Sequence, residues 1–113
     1  GISMGDGTRE NPEACMKYDL IVRPEAEAEL AEAFDWYEQQ VDGLGSRFLL
    51  SIDAAINSIR RDPLRYPILY KNVRRALTRR FPYQVFFIVS DSQVIIIAVF
   101  HGMRNPFVWQ SRG

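Results

Sequence analysis

This 113-residue chain has one cysteine, one histidine and no apolar run near the roughly 20 residues of a membrane-crossing helix. Cys15 alone excludes an internal disulfide framework and a multi-cysteine zinc site. His101 alone excludes a histidine-pair metal site. No glycine-rich phosphate loop or EF-hand pattern is present, so neither a cofactor nor a metal is expected. The chain does not open on a charged start followed by an apolar stretch, as a secretory signal would. The simplest reading is a cytoplasmic protein with no membrane partner.

The net charge is zero, which hides a division. Residues 1–59 carry four Lys/Arg against twelve Asp/Glu, and residues 60–113 carry ten against two, so the halves stand at −8 and +8. A segregated positive half points to an acidic partner, either nucleic acid or protein.

The length suits one small domain with one core. Residues 1–15 are polar and aperiodic and are read as a tag remnant or flexible extension. Residues 16–113 are read as a single domain. A strand is expected at 18–22, ended by Arg23-Pro24. A helix is expected over 24–40, with Leu30, Phe34, Tyr37 and Val41 on its apolar face and Glu25, Glu27 and Glu29 near its positive end. Gly43 can end it in a left-handed conformation, and Ser46 is a cap candidate for a second helix running to about Arg61. There Phe48, Leu49, Ile52, Ala55, Ile56 and Ile59 form a 3-4 repeat. The short connection makes the two helices an antiparallel hairpin. Residues 65–72 read as a loop.

Three strands follow, at 73–78, 83–89 and 94–101, as an antiparallel meander. The fold class is therefore α+β: an N-terminal strand, a helical hairpin and a meander in one sheet. Strict alternation puts Tyr83, Val85, Phe87 and Val89 on one face, with Gln84, Phe86 and Ile88 on the other. It likewise opposes Val94, Ile96, Ala98 and Phe100 to Ile95, Ile97, Val99 and His101. Both faces are apolar, and the helical hairpin can cover only one. The C-terminal tail, a second copy of the chain (as in a homodimer) or a partner must cover the other.

The order of these elements, with Arg80-Phe81-Pro82-Tyr83 before the last hairpin and His101-x-x-Arg104-x-Pro106-x-x-Trp109 after it, resembles the RelE/ParE superfamily of type II toxin–antitoxin toxins. It is most similar to the ParE-like, plasmid-stabilisation branch. The resemblance covers about residues 16–109. It implies a bacterial growth-arrest toxin neutralised by a cognate antitoxin that wraps it. It also implies one of two targets. ParE-like members inhibit DNA gyrase and are not nucleases. RelE-like members cleave mRNA on the ribosome without a metal.

The residues bear on that choice. Arg74, Arg75, Arg79 and Arg80 suit phosphate or carboxylate recognition through their rigid donor forks. Alternation would place Arg75 and Arg79 on one face and Arg74 and Arg80 on the other. RNA cleavage by a 2′-hydroxyl needs a base, an acid and charge stabilisation, which His101, Tyr83, Arg75 and Arg104 could divide among them. Against this, the tail 102–113 lacks the Lys, Glu, His or Tyr that RelE-like nucleases add there. The plainer role for His101 is to fix the tail. The helix carboxylates from Glu25 to Glu38 read as a solvated face with no histidine nearby. Arg74, Arg75, Arg79, Arg80, His101, Arg104 and Trp109 are thus read first as a docking surface for target or partner. Catalysis comes second, and a non-toxic binding module of the same fold is a third reading.

Overall fold

The computed structural model describes residues 18–102. Strand β1 (Asp19–Val22) leads through Pro24 into helix α1 (Pro24–Gln40), and α2 (Leu44–Arg61) returns antiparallel to it. A short 3-10 turn (Pro63–Arg65) precedes β2 (Ile68–Tyr70), β3 (Val73–Leu77), β4 (Tyr83–Ser90) and β5 (Gln93–His101). The sheet order is β1-β5-β4-β3-β2, with β1 parallel to β5 and every other pair antiparallel. The α+β class and the helical hairpin are as the sequence predicts. The meander has one strand more: part of the expected loop at 65–72 pairs with β3 as a three-residue edge strand. Such a short strand, broken by a register shift, carries too few residues for alternation to reveal.

The core lies between the helices and one sheet face. Phe48, Ile52, Ile56 and Ile59 of α2 are buried against Ala76, Val85, Phe87, Val94, Ile96 and Val99. On α1 the fully buried residues are Ala26 and Ala33, whereas Leu30 and Tyr37 pack at the margin and Val41 lies outside the helix, 60% exposed. Alanines at the contact let the α1 backbone approach the sheet closely, which turns the larger side chains to the flanks.

The α1–α2 connection is tighter than Ser46 capping would make it. Helix α2 starts at Leu44, so Ser46 lies inside it. The Glu38 carboxylate instead accepts hydrogen bonds from the Gly43 and Gly45 amides, both at 2.9 Å, and satisfies donors that a helix start leaves open. Gly43 is left-handed, with φ of 86°. Gly45 is packed so closely that a Cβ would lie 2.8 Å from the Phe34 carbonyl oxygen.

The strict alternation expected along 94–101 is broken. Phe86 pairs with Ala98 and Phe87 with Ile96, so Ile97 is an extra residue, a β-bulge. Past it the faces exchange. Val99 joins Val94 and Ile96 on the helix side, whereas Ala98 and Phe100 join Ile97, Phe86, Ile88 and Val73 in a second apolar cluster on the opposite face. The apolar second face is therefore real. The tail at 103–113, one of its expected covers, lies outside the described residues.

Candidate functional site

The four arginines around β3 are distributed by the strand rather than gathered by it. Arg74 sits on the helix side, opposite Phe87, and its guanidinium donates to the Leu64 and Tyr66 carbonyls at 3.2 and 2.7 Å. It holds the 3-10 turn and is engaged within the fold. Arg75 pairs with Phe86 on the opposite face. Strand β3 ends at Leu77, so Arg79 and Arg80 follow no alternation at all. They belong to the β3–β4 loop, which stands against α2. The Ser51 hydroxyl donates to the Arg79 carbonyl at 2.7 Å and pins the loop to the helix. Arg80 has φ of 73°, a left-handed conformation that a β-carbon disfavours.

His101 ends β5 opposite Tyr83 and is exposed. Its ring meets the Tyr83 ring edge-on at 5.6 Å, and Tyr83 in turn packs on Phe48 at 4.9 Å. The bulge puts His101 on the helix side. There a cleft of about 290 Å³ is lined by Glu29, Glu32, Trp36, Tyr83 and His101. The helix carboxylates are therefore not remote from the histidine, as a linear reading suggests. Only the fold, with its unpredicted bulge, brings residues seventy positions apart together. Glu29 also accepts the Val99 amide at 3.0 Å, so it is part of the frame.

Tyr37 lies among Phe48, Phe81 and Tyr83, with ring centroids 5.0 to 6.1 Å away, and desolvation by burial pushes its phenol above its ordinary value. Arg104 and Trp109 fall outside the described residues. Among the described residues no group of His, Cys, Asp or Glu could hold a metal ion, and no helix is long and apolar enough to cross a membrane.

A larger groove, about 660 Å³, runs between α2 and the β3–β4 loop, bordered by Arg47, Arg79 and Arg80. The sequence reading missed Arg47 and the outward side of α2. The available signal was the Leu49-Leu50 pair: only one of two adjacent leucines can face the core, and Leu50 is 68% exposed.

A strand, a helical hairpin and a sheet with antiparallel strands at its heart form the fold of RelE/ParE-type toxins. The match to a solved structure described as the chromosomal ParDE TA system from P. aeruginosa supports that class, with a TM-score of 0.68, 17% identity, and coverage of 75% of this chain and 96% of that one. Residues 20–106 match the family described as the ParE toxin of the type II toxin–antitoxin system parDE. Two curated relatives, both called toxin ParE2, from the CDC 1551/Oshkosh and H37Rv strains of Mycobacterium tuberculosis, are 34% identical over 88 residues, or 77% of this chain and 84% of theirs. The chain belongs to the ParE toxin family and is the toxin component of a ParDE-type system, which implies a cognate antitoxin.

Proposed function

We propose that this toxin arrests growth by binding an essential protein target, DNA gyrase, and not by cutting RNA. One observation carries the choice. The groups that could act as acid and base, His101 and Tyr83, sit in a cleft that also holds the carboxylates Glu29 and Glu32, while Arg75 lies on the opposite sheet face. A scissile phosphate needs positive charge where the proton moves, and two carboxylates there repel it. Arg79 and Arg80, in the β3–β4 loop beside Arg47, support a reading in which positive charge meets a protein partner away from this cleft. The gyrase assignment itself follows the ParE branch of the superfamily.

The test is gyrase supercoiling of relaxed plasmid with purified toxin, run beside toeprinting on translating ribosomes. Inhibited supercoiling with intact mRNA is the expected pair of results. Codon-specific cleavage with unaffected gyrase would overturn the proposal in favour of a ribosome-dependent endonuclease. Expression without growth arrest would leave only a binding module.

A further inference from the structure

We infer that the cleft between α1 and the ends of β4 and β5 receives one cationic side chain, an arginine of the protein target. This deepens the proposed function and rests on the toxin acting by docking to a protein. Four observations converge on it. First, the cleft has room for one side chain. Its volume is about 290 Å³, at the small end of the ~300–1,000 Å³ of ligand pockets, so it admits neither a helix nor a nucleic-acid strand. Secondly, its fixed charge has one sign. Glu29 and Glu32 line it, and no Lys or Arg does. Helix α1, which forms one wall, carries six acidic residues and no basic one, so the surrounding field also favours a cation. Thirdly, an aromatic side chain stands beside the carboxylates without being buried. Trp36 is 57% exposed and lies one helical turn from Glu32, on the same face of α1. Its ring is set edge-on against Tyr37 at 5.1 Å, and indole is the best aromatic partner for a cation. Fourthly, the frame is preformed. Glu29 is held by the Val99 amide at 3.0 Å, and the small side chain of buried Ala33 leaves the floor open, so little ordering is needed on binding.

The same features disfavour other occupants. Among the described residues no group of His, Cys, Asp or Glu could hold a metal ion. A phosphate meets like charge from both carboxylates. An apolar side chain would strip water from them and return no hydrogen bond. A guanidinium answers both walls: it is planar and weakly hydrated, so it stacks on the indole while its N–H donors reach a carboxylate. A second copy of the chain could supply an arginine only from a different face, and contacts between unlike faces repeat head to tail unless the rotation closes a ring.

The test has two arms, both on full-length toxin. In the first, the magnetic resonance signal of the Trp36 indole N–H, assigned by its loss in Trp36→Phe, is followed during titration with N-acetylarginine amide. The neutral citrulline analogue, nearly the same in shape, is the control. The signal should shift saturably with the arginine compound only, and Glu32→Gln should raise its Kd about threefold, as for one exposed charge pair. In the second arm, gyrase supercoiling is measured against toxin concentration. The half-inhibiting concentration should rise about tenfold in Glu32→Arg and in Trp36→Ala, since each removes an anchor. It should stay at the wild-type value in Glu25→Gln, which removes an α1 charge outside the cleft. Thermal unfolding checks each fold; Glu32 is exposed, so Glu32→Arg alone still decides if Trp36→Ala unfolds. No shift with the arginine compound, or wild-type inhibition by Glu32→Arg, overturns the cleft while leaving the gyrase reading intact. Arginine binding by a wild-type toxin that does not inhibit gyrase overturns the gyrase reading and upholds the cleft. Spermidine that displaces the arginine compound, with Glu32→Arg inhibiting gyrase as wild type does, assigns the cleft to a free polyamine and overturns the protein side chain. Self-association of the toxin that Glu32→Arg abolishes, with gyrase inhibition unchanged, assigns it to a second copy and overturns the target.

Discussion

The Glu29 carboxylate accepts the backbone amide of Val99 at 3.0 Å, across 70 residues of sequence. The reason lies in the sheet. Strand β1 pairs with β5 only as far as Val22 opposite Ile96, and then the chain turns at Pro24 into α1. Beyond that point β5 has no described strand on its β1 side, and its amide would be left open. The first turns of α1 pass over this edge, and a helix side chain supplies the missing acceptor.

Glu29→Ala should therefore destabilise the fold by about 1.5–3 kcal/mol, the range for a hydrogen bond to a charged group. Glu32→Ala, one turn along on an exposed position, should stay within about 0.5 kcal/mol of wild type. Urea unfolding of the pair separates a framework carboxylate from a solvated one. Equal, small effects would mean that water serves the Val99 amide as well.

That contact also marks how far the sequence was legible. Both helices, the order of the last three strands and the apolar second sheet face followed from periodicity, because long elements repeat their pattern several times. The bulge at Ile97 did not. In a run as uniformly apolar as Ile95-Ile96-Ile97-Ala98-Val99, slipping one residue changes no hydrophobicity and leaves no trace. Alternation puts everything after it on the wrong face, His101 included, so the cleft it shares with Glu29 and Glu32 has no signature in the sequence. The arginines failed for a related reason. Alternation ceases to apply past Leu77, where the strand ends and the left-handed Arg80 redirects the chain.

Gly45→Ala should destabilise by about 1–3 kcal/mol, although alanine is the better helix former. The added Cβ would stand 2.8 Å from the Phe34 carbonyl oxygen, which belongs to α1 and cannot move without the helix. It would also crowd the Glu38 carboxylate that caps α2. Thermal unfolding of Gly45→Ala beside Glu38→Ala, where loss of the cap should cost about 1 kcal/mol, checks both contributions.

Gly43 and Arg80 make an opposed pair. Both are left-handed, but only Gly43 is a residue suited to it. Nothing lies within 4 Å of a Cβ built on Gly43, so Gly43→Ala should lose about 1–2 kcal/mol from backbone strain alone. Arg80→Gly should do the reverse and gain up to about 1 kcal/mol, the relieved strain outweighing the added freedom of the unfolded chain. Chemical denaturation measures both. A destabilised Arg80→Gly would show that the arginine side chain, and not a partner, is the reason for the strained turn.

Burial also gives the fold an alkaline limit. The Tyr37 phenol titrates higher in the folded state than in the unfolded chain, whose ordinary value is near 10. Below that value both states hold the proton and stability is unaffected. Above it the unfolded chain releases the proton first, so stability falls as pH rises until the folded phenol ionises too. Tyr37→Phe should flatten this decline above about pH 10 and leave the pH 7–9 plateau unchanged in slope. Urea midpoints across pH 8–11 test it, and an unaltered slope above pH 10 in the variant would assign the loss to other groups.

His101→Ala is the sharpest functional prediction. If proton transfer to or from His101 drove RNA cleavage, its loss should cut the rate by about 10²–10⁴ and abolish growth arrest. The cleft argues otherwise: the histidine packs edge-on against Tyr83 beside Glu29 and Glu32, with Arg75 across the sheet. The expected outcome is growth arrest retained by His101→Ala, with a modest loss of stability from the broken ring contact, about 0.5–1.5 kcal/mol. His101→Phe, which keeps an aromatic ring and removes both nitrogens, should recover that stability and arrest growth as wild type does. Comparing the two variants in the supercoiling and toeprinting assays separates packing from chemistry. If wild-type toxin cuts mRNA in the toeprinting assay and both variants fold but do not, the imidazole itself carries chemistry and the docking reading of this site fails.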